Sequence, residues 1–303
     1  MELSKLTTES RNTASTTLDQ MTTMEILQTI NNEDKSVAFA VEEVLPVVKR
    51  VTEKVVESLK NGGRLFYIGS GTSGRIGMMD ASECPPTFMT SPEMVQTIMA
   101  GGNQAFFQAV ENAEDNELQG ELDLHSKNLT KYDVVIGITA SGRTPYPIGA
   151  IKYANKMGAF TVGLSSNKNS LINKYTDEGI EVIVGPEVLT GSTRMKAATA
   201  HKLILNMIST ATMVKLGKVY ENLMVDVNAS NFKLKERAKS IVLEVTDSSY
   251  EEAENILEQT NYEVKAAIVM LKTNASYEET LLALQNHNRN VRETITYLLD
   301  NKG

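Results

Sequence analysis

The chain has little of what several large protein classes require. One cysteine, Cys84, stands alone among 303 residues, so no internal disulfide framework can form. Three scattered histidines, His125, His201 and His287, give no zinc-ligand spacing, and no metal or other cofactor is expected. Tryptophan is absent. Lys and Arg total 30 against 38 acidic residues, a net charge of −8, leaving no basic excess to neutralise a nucleic-acid backbone or an anionic bilayer. No apolar run approaches the roughly 20 residues of a membrane-spanning helix, and the chain opens on a mostly polar stretch from Glu2 to Thr17. The expectation is a cytoplasmic protein that binds neither nucleic acid nor membrane, in which any anionic ligand needs a local site.

What is present is a full core's worth of apolar residues, 41% of the chain, arranged in two registers. From Val37 to Leu59 valines and a leucine recur at three and four, the spacing of a helix with one buried face, with Pro46 placed to kink it. Short apolar runs then follow at Arg64–Ile68, Val95–Met99, Val134–Ile138, Phe160–Leu164 and Ile180–Val184. Helical stretches at Gln104–Leu118 and Pro147–Met157 separate them, and another runs from Arg194 to Lys218. The alternation predicts an α/β fold: a five-stranded parallel sheet between two helical layers, with ligands at the carboxyl ends of its strands. After an irregular segment near Asp226–Asn231 the composition changes, glycine being absent from Lys218 until Gly303. Residues 1–232 and 233–303 therefore read as two domains, the second a small all-α one. Within it Ser249-Tyr-Glu-Glu252 returns as Ser276-Tyr-Glu-Glu279, an offset of 27 residues, and each copy reads as a serine-capped helix pair with solvated acidic faces.

Three expected strand ends carry hydroxyl-rich loops. Gly69-Ser-Gly-Thr-Ser-Gly74 fits the dinucleotide pattern G-x-G-x-x-G, yet the second strand runs into Met99-Ala-Gly-Gly102 with no carboxylate to hold a ribose. No Gly-Lys-Ser/Thr follows, so it is not a P-loop. Ser70, Thr72 and Ser73, with backbone N–H groups at a helix start, suit a phosphate monoester. Thr139-Ala-Ser-Gly-Arg-Thr-Pro145 repeats the design with Ser141, Arg143 and Thr144, Arg143 being the cation best placed for a phosphate. Gly191-Ser-Thr-Arg-Met-Lys196 adds Ser192, and Arg194 and Lys196 serve equally well to fix that loop. Helix capping alone does not explain three such loops, and the pattern points to a sugar phosphate.

These loops resemble the sugar isomerase (SIS) domain. Leu6-Thr-Thr-Glu-Ser-Arg-Asn12, Leu18-Asp19, Asn32-Glu-Asp34, Gly69–Arg75, Glu83-Cys-Pro-Pro-Thr87, Glu111-Asn-Ala-Glu-Asp115 and Gly185–Lys196 together resemble the N-acetylmuramic acid 6-phosphate etherase family over essentially the whole chain. Ala198 departs from it, where the family pattern has glycine. The resemblance implies a SIS-type catalytic domain, a ubiquitin-associated-like C-terminal module, a homodimer with the site near the subunit boundary, and a lyase reaction. In that reaction the sugar ring opens, a base removes the C2 proton, the D-lactyl ether oxygen leaves C3 with an acid's help, and water adds back. The products are N-acetylglucosamine 6-phosphate and D-lactate, with no metal or redox step.

Two carboxylates carry that scheme. Glu83 precedes Pro85-Pro86, a pair expected to stop the helix begun at Ser73, and Met78, Met79, Ala81, Phe88 and Met89 suggest an apolar setting that would raise its pKa. The resemblance makes it the proton donor. Glu114 sits on the stretch Ala105–Leu118, read as an amphipathic helix with Phe106, Phe107, Val110 and Leu118 toward the core. There Glu111 and Asp115 compete with it, and the resemblance selects Glu114 as base. Cys84 reads as packing and His201 as structural. Two other readings compete: a phosphosugar isomerase, which needs no acid at C3, and a non-catalytic phosphosugar sensor, whose extra domains are missing from this chain.

Overall fold

The computed structural model describes residues 6–227, 229 and 231–301. Residues 2–5 of the polar start, Asn228 and Ser230 of the irregular segment, and Gly303 lie outside that description. Helix α1 (Thr23–Asp34) begins in a capping box between Thr22 and Glu25. The helix expected from Val37 to Leu59 is two, α2 (Val37–Glu42) and α3 (Leu45–Lys60). Pro46 lies in the first turn of α3, where its missing N–H breaks no ladder bond, so it starts a helix rather than kinking one.

Five strands follow: β1 (Leu65–Gly69), β2 (Val95–Met99), β3 (Val134–Ile138), β4 (Phe160–Ser165) and β5 (Glu178–Glu181). All pair in parallel in the order β2-β1-β3-β4-β5. The last strand starts two residues before the expected Ile180, with Glu178 held by Arg50 of α3. Helices α4 (Gly71–Phe88), α5 (Glu117–His125), α6 (Pro145–Lys156) and α7 (Lys196–Lys215) complete the layers. On one face Phe66, Ile68 and Val135 pack with Leu124 of α5 and Ile148 and Ile151 of α6. On the other, the Tyr67 hydroxyl donates to buried Asp80 of α4, whose carboxylate also accepts from Asn206 and Ser209 of α7. Because the chain leaves β1 toward β2 but leaves β3 toward β4, the carboxyl ends of adjacent β1 and β3 flank a crevice.

By internal contacts the chain forms two compact units, Met1–Ser82 with Pro92–Ser209, and Glu83–Ser91 with Thr210–Gly303. Contact thus divides the chain earlier than composition, whose break falls at Lys233. The second unit holds the two-residue strands β6 (Val219–Tyr220) and β7 (Leu223–Met224) and the helices α8 (Phe232–Val245), α9 (Tyr250–Gln259), α10 (Val264–Thr273), α11 (Tyr277–Asn286) and α12 (Val291–Asp300). The 27-residue repeat is α9–α10 and α11–α12, with Ser249 and Ser276 accepting from the backbone N–H three residues on. Val242, Leu257, Ala267, Ile268 and Leu284 form its core.

Two sequence expectations fail locally. Helix α4 runs through Pro85 and Pro86 to Phe88. Each proline removes one ladder donor, but the helix ends two residues past the pair, where Met89 takes a positive φ of 52°. The helix expected over Gln104–Leu118 is absent: the segment is a 3-10 turn at Gly102–Phe106, a second at Ala113–Asp115, and irregular backbone between. Gly101, Gly102 and Asn112 take positive φ, which a helix does not allow. Phe107 (92% exposed), Val110 and Leu118 face solvent instead of the core.

Candidate active site

At the carboxyl ends of β1 and β3 lies a cavity of about 270 Å³, just under the usual range of small-molecule sites. Its walls are Ser70, Thr72 and Ser73 from the first loop, Thr139, Ser141 and Thr144 from the second, Gly191 and Thr193 from the third, Thr8 and Glu9 from the N-terminal strap, and Glu114. A larger cavity of about 360 Å³ opens at the amino ends of β3 and β4, beside Lys54 and Asp177. Size does not decide between them: open α/β sheets hold ligands at the carboxyl end, where helix starts and loop N–H groups converge.

The first loop is tight for a stated reason. A Cβ at Gly74 would stand 2.7 Å from Met99 Cγ and 2.9 Å from the Gly69 carbonyl, so only glycine lets the helix start so close to the strand end. The Ser70 hydroxyl is buried without a hydrogen-bond partner and lines the cavity, a donor available to a ligand. In the second loop Thr139 Oγ1 lies 2.8 Å from Thr144 Oγ1 and 3.2 Å from Ser141 Oγ, and Ser141 accepts from the Arg143 N–H. These hydroxyls form one bonded row. Arg143 and Ser192 are half-buried but do not line the cavity.

The third loop is held by carboxylates. Glu187 accepts from the backbone N–H groups of Lys196 and Ala197 at the start of α7, and buried Lys196 pairs with Glu33 of α1 at 2.5 Å. Lys196 therefore fixes the loop instead of meeting a ligand. The strap is tied down by Asn167, which donates to Thr8 Oγ1 and to the Ala140 carbonyl, and by Asn12, which donates to the Pro186 carbonyl. His201 is buried, lines the cavity, and has Nε2 3.0 Å from Ser166 Oγ. Burial pushes its pKa down to about 4, against an upward pull from the Ser165 main chain, so the imidazole is neutral at pH 7.

The two predicted carboxylates part company. Glu114 is exposed and lines the cavity, on the 3-10 turn rather than on a helix. Glu83 does not line it: it is exposed, ten residues along α4 from Ser73, roughly 15 Å of helix axis. Of the apolar residues expected around it, Ala81 and Phe88 are buried, while Met79 and Met89 are themselves exposed. Cys84 is buried, as read. Among the described residues no group of three or more His, Cys, Asp or Glu is placed to hold a metal ion, and no helix is long and apolar enough to cross a membrane. Thr8, Glu9 and Thr193 carry no site signal in the sequence; only tertiary contact brings the strap, residues 6–12, to the loops.

Family models match twice: the SIS domain over residues 102–210 and the glucokinase regulatory protein N-terminal SIS domain over 47–155. A phosphoheptose isomerase from Francisella tularensis superposes with a TM-score of 0.50 at 18% identity over 64% of this chain and 100% of that one, a likeness of fold alone. The N-acetylmuramic acid 6-phosphate etherase of Bacillus subtilis (strain 168) is 60% identical over 269 residues, 89% of this chain and 88% of that protein. The chain belongs to the N-acetylmuramic acid 6-phosphate etherase family. A second etherase, from Clostridium beijerinckii, is 53% identical over 88% of each chain. The family's five-stranded SIS sheet is the one described above, and the carboxyl-end cavity is its candidate active site.

Proposed function

We propose that the protein is a carbon–oxygen lyase that cleaves the D-lactyl ether of N-acetylmuramic acid 6-phosphate to N-acetylglucosamine 6-phosphate and D-lactate, in recycling of cell-wall amino sugars. The observation that carries the reading is the position of Glu114: a carboxylate at the rim of a cavity walled by three hydroxyl-rich loops, in a chain 60% identical to a named etherase. Ser70, Thr72, Ser73, Ser141, Arg143, Thr144 and Ser192 are the proposed sugar-phosphate ligands. In the open-chain sugar the C1 aldehyde acidifies C2–H. Glu114 takes that proton, the electron pair moves into the C2–C3 bond, and the C3–O bond breaks as Glu83 protonates the leaving lactyl oxygen. Water then adds to C3 and a proton returns to C2, so the net reaction consumes one water. The scheme draws on no metal or redox cofactor.

Glu83 is not among the residues lining the cavity of its own chain, and in this proposal the active form is a homodimer in which the Glu83 carboxylate of a second copy completes each site. Residues 1–232 form the catalytic domain and 233–303 a helical module that supports the dimer; the cytoplasm is where the phosphorylated substrate would be met. The test is lactate release from N-acetylmuramic acid 6-phosphate in deuterated water with EDTA present. Wild type is expected to yield lactate and deuterium at C2 of the product, and Glu114→Gln to lose both by about 10²–10⁴-fold. Glu83→Gln should lose lactate yet keep exchange at C2 of the substrate. Bound sugar phosphate without lactate would favour a sensor.

A further inference from the structure

Beside the sugar-phosphate cavity, and sharing Ser70, Gly71 and Glu114 with it, lies a second one of about 210 Å³. Ala105, Val110 and Ala113 give it an apolar wall, and Arg75 of α4 is its cation. The guanidinium is held but not neutralised. Nε donates to the Phe106 carbonyl at 3.3 Å, and Nη2 to those of Ala105 at 2.9 Å and Gln108 at 3.4 Å. Nη1, with two more N–H donors, makes no bond to a described residue, and no described carboxylate pairs with Arg75. Three other cations of this sheet domain do have carboxylate partners: Arg64 with Asp133, Arg50 with Glu178 and Lys196 with Glu33. Carbonyl oxygens orient a guanidinium but leave its formal charge, and a guanidinium with a free N–H edge is suited to a carboxylate. The carboxylates of Glu111 and Glu114 also line this cavity, but both residues are exposed, where water screens their repulsion of an incoming anion.

We infer that Arg75 binds the carboxylate of the substrate's lactyl group, with the lactyl methyl against Ala105 and Val110, and so selects the lactyl ether over sugar phosphates that lack it. This rests on the reading of the protein as an etherase. Glu114 lies where the two cavities meet. If it addresses C2 while the phosphate end occupies the hydroxyl-lined cavity, the substituent on the neighbouring C3 has the second cavity to enter.

Two arms test it, with lactate release from the natural substrate by wild type first confirming the reading itself. Arg75→Met is expected to raise KM for N-acetylmuramic acid 6-phosphate by about 10–100-fold and to leave the Kd of N-acetylglucosamine 6-phosphate, which has no lactyl group, within about two-fold of wild type. Equal weakening of both ligands would mean that Arg75 only shapes the 105–108 backbone, and would overturn the assignment. The second arm needs no variant: wild type is given the substrate with its lactyl carboxylate converted to the primary amide. A drop of about 10-fold or more in kcat/KM supports the pairing, and turnover equal to that of the acid sinks it.

Discussion

Between about pH 4 and pH 6.5 the fold keeps His201 neutral where water would protonate it. Its pKa in the fold, about 4, lies below the ordinary 6.5 of an unfolded chain, so between these values the unfolded protein binds the extra proton. Stability from this group is therefore complete above about pH 6.5 and is lost as pH falls toward 4, a swing on the order of 3 kcal/mol. Thermal melts at pH 7 and pH 4.5 should show His201→Gln losing less Tm on acidification than wild type; identical losses would place the acid sensitivity elsewhere. At this scale the sequence was legible where chemistry is local. Ser70, Thr72, Ser73, Ser141 and Thr144 line the cavity because each follows a strand end by a few residues. The partner of Lys196, Glu33, and the setting of Glu9 beside Gly191 were not legible, because each depends on residues far off in the chain.

Between elements, α5 and α6 cross on a pair of glycines. A Cβ at Gly120 would fall 2.0 Å from the Tyr146 carbonyl oxygen, and one at Gly149 would fall 1.9 Å from that of Glu117. Backbone oxygens cannot turn aside as side chains do, so either methyl must part the helices. Gly149→Ala is expected to cost about 1–3 kcal/mol and to lower Tm on the order of 5 °C. Because α5 starts three residues after Glu114, kcat should fall with it; unchanged melting and turnover would refute the close crossing. The misreading of Gln104–Leu118 belongs here too. Its apolar spacing satisfied a helix, but Gly101, Gly102 and Asn112 break the backbone, and Arg75 holds the carbonyls of the resulting loop. Periodicity reports which residues are apolar, and does not report that Phe107 stays in water.

For the whole molecule, the five-stranded parallel sheet and the carboxyl-end position of its loops are legible in the sequence, since five short runs separated by helices and glycine loops permit little else; the strand order that sets the crevice between β1 and β3 is not. What the pattern could not convey was that Glu114 lines the cavity and Glu83 does not, because it misplaced the end of α4 and made a helix of the loop that carries Glu114. The proposed shared site has a direct consequence for mixtures. Glu83→Gln and Glu114→Gln homodimers should each be inactive. Subunits exchanged between them would regenerate one intact site per heterodimer, about a quarter of wild-type activity at random reassortment. If one copy supplies both carboxylates, the mixture stays as inactive as its parents.

The 92% exposure of Phe107 has an optical consequence. The chain carries no tryptophan, so an indole placed at 107, excited at the red edge where its ten tyrosines hardly absorb, would emit without a competing indole. It would stand seven residues before Glu114, on the backbone that Arg75 grips through the Phe106 and Gln108 carbonyls. The loop that delivers the base is thereby open to observation by its own light.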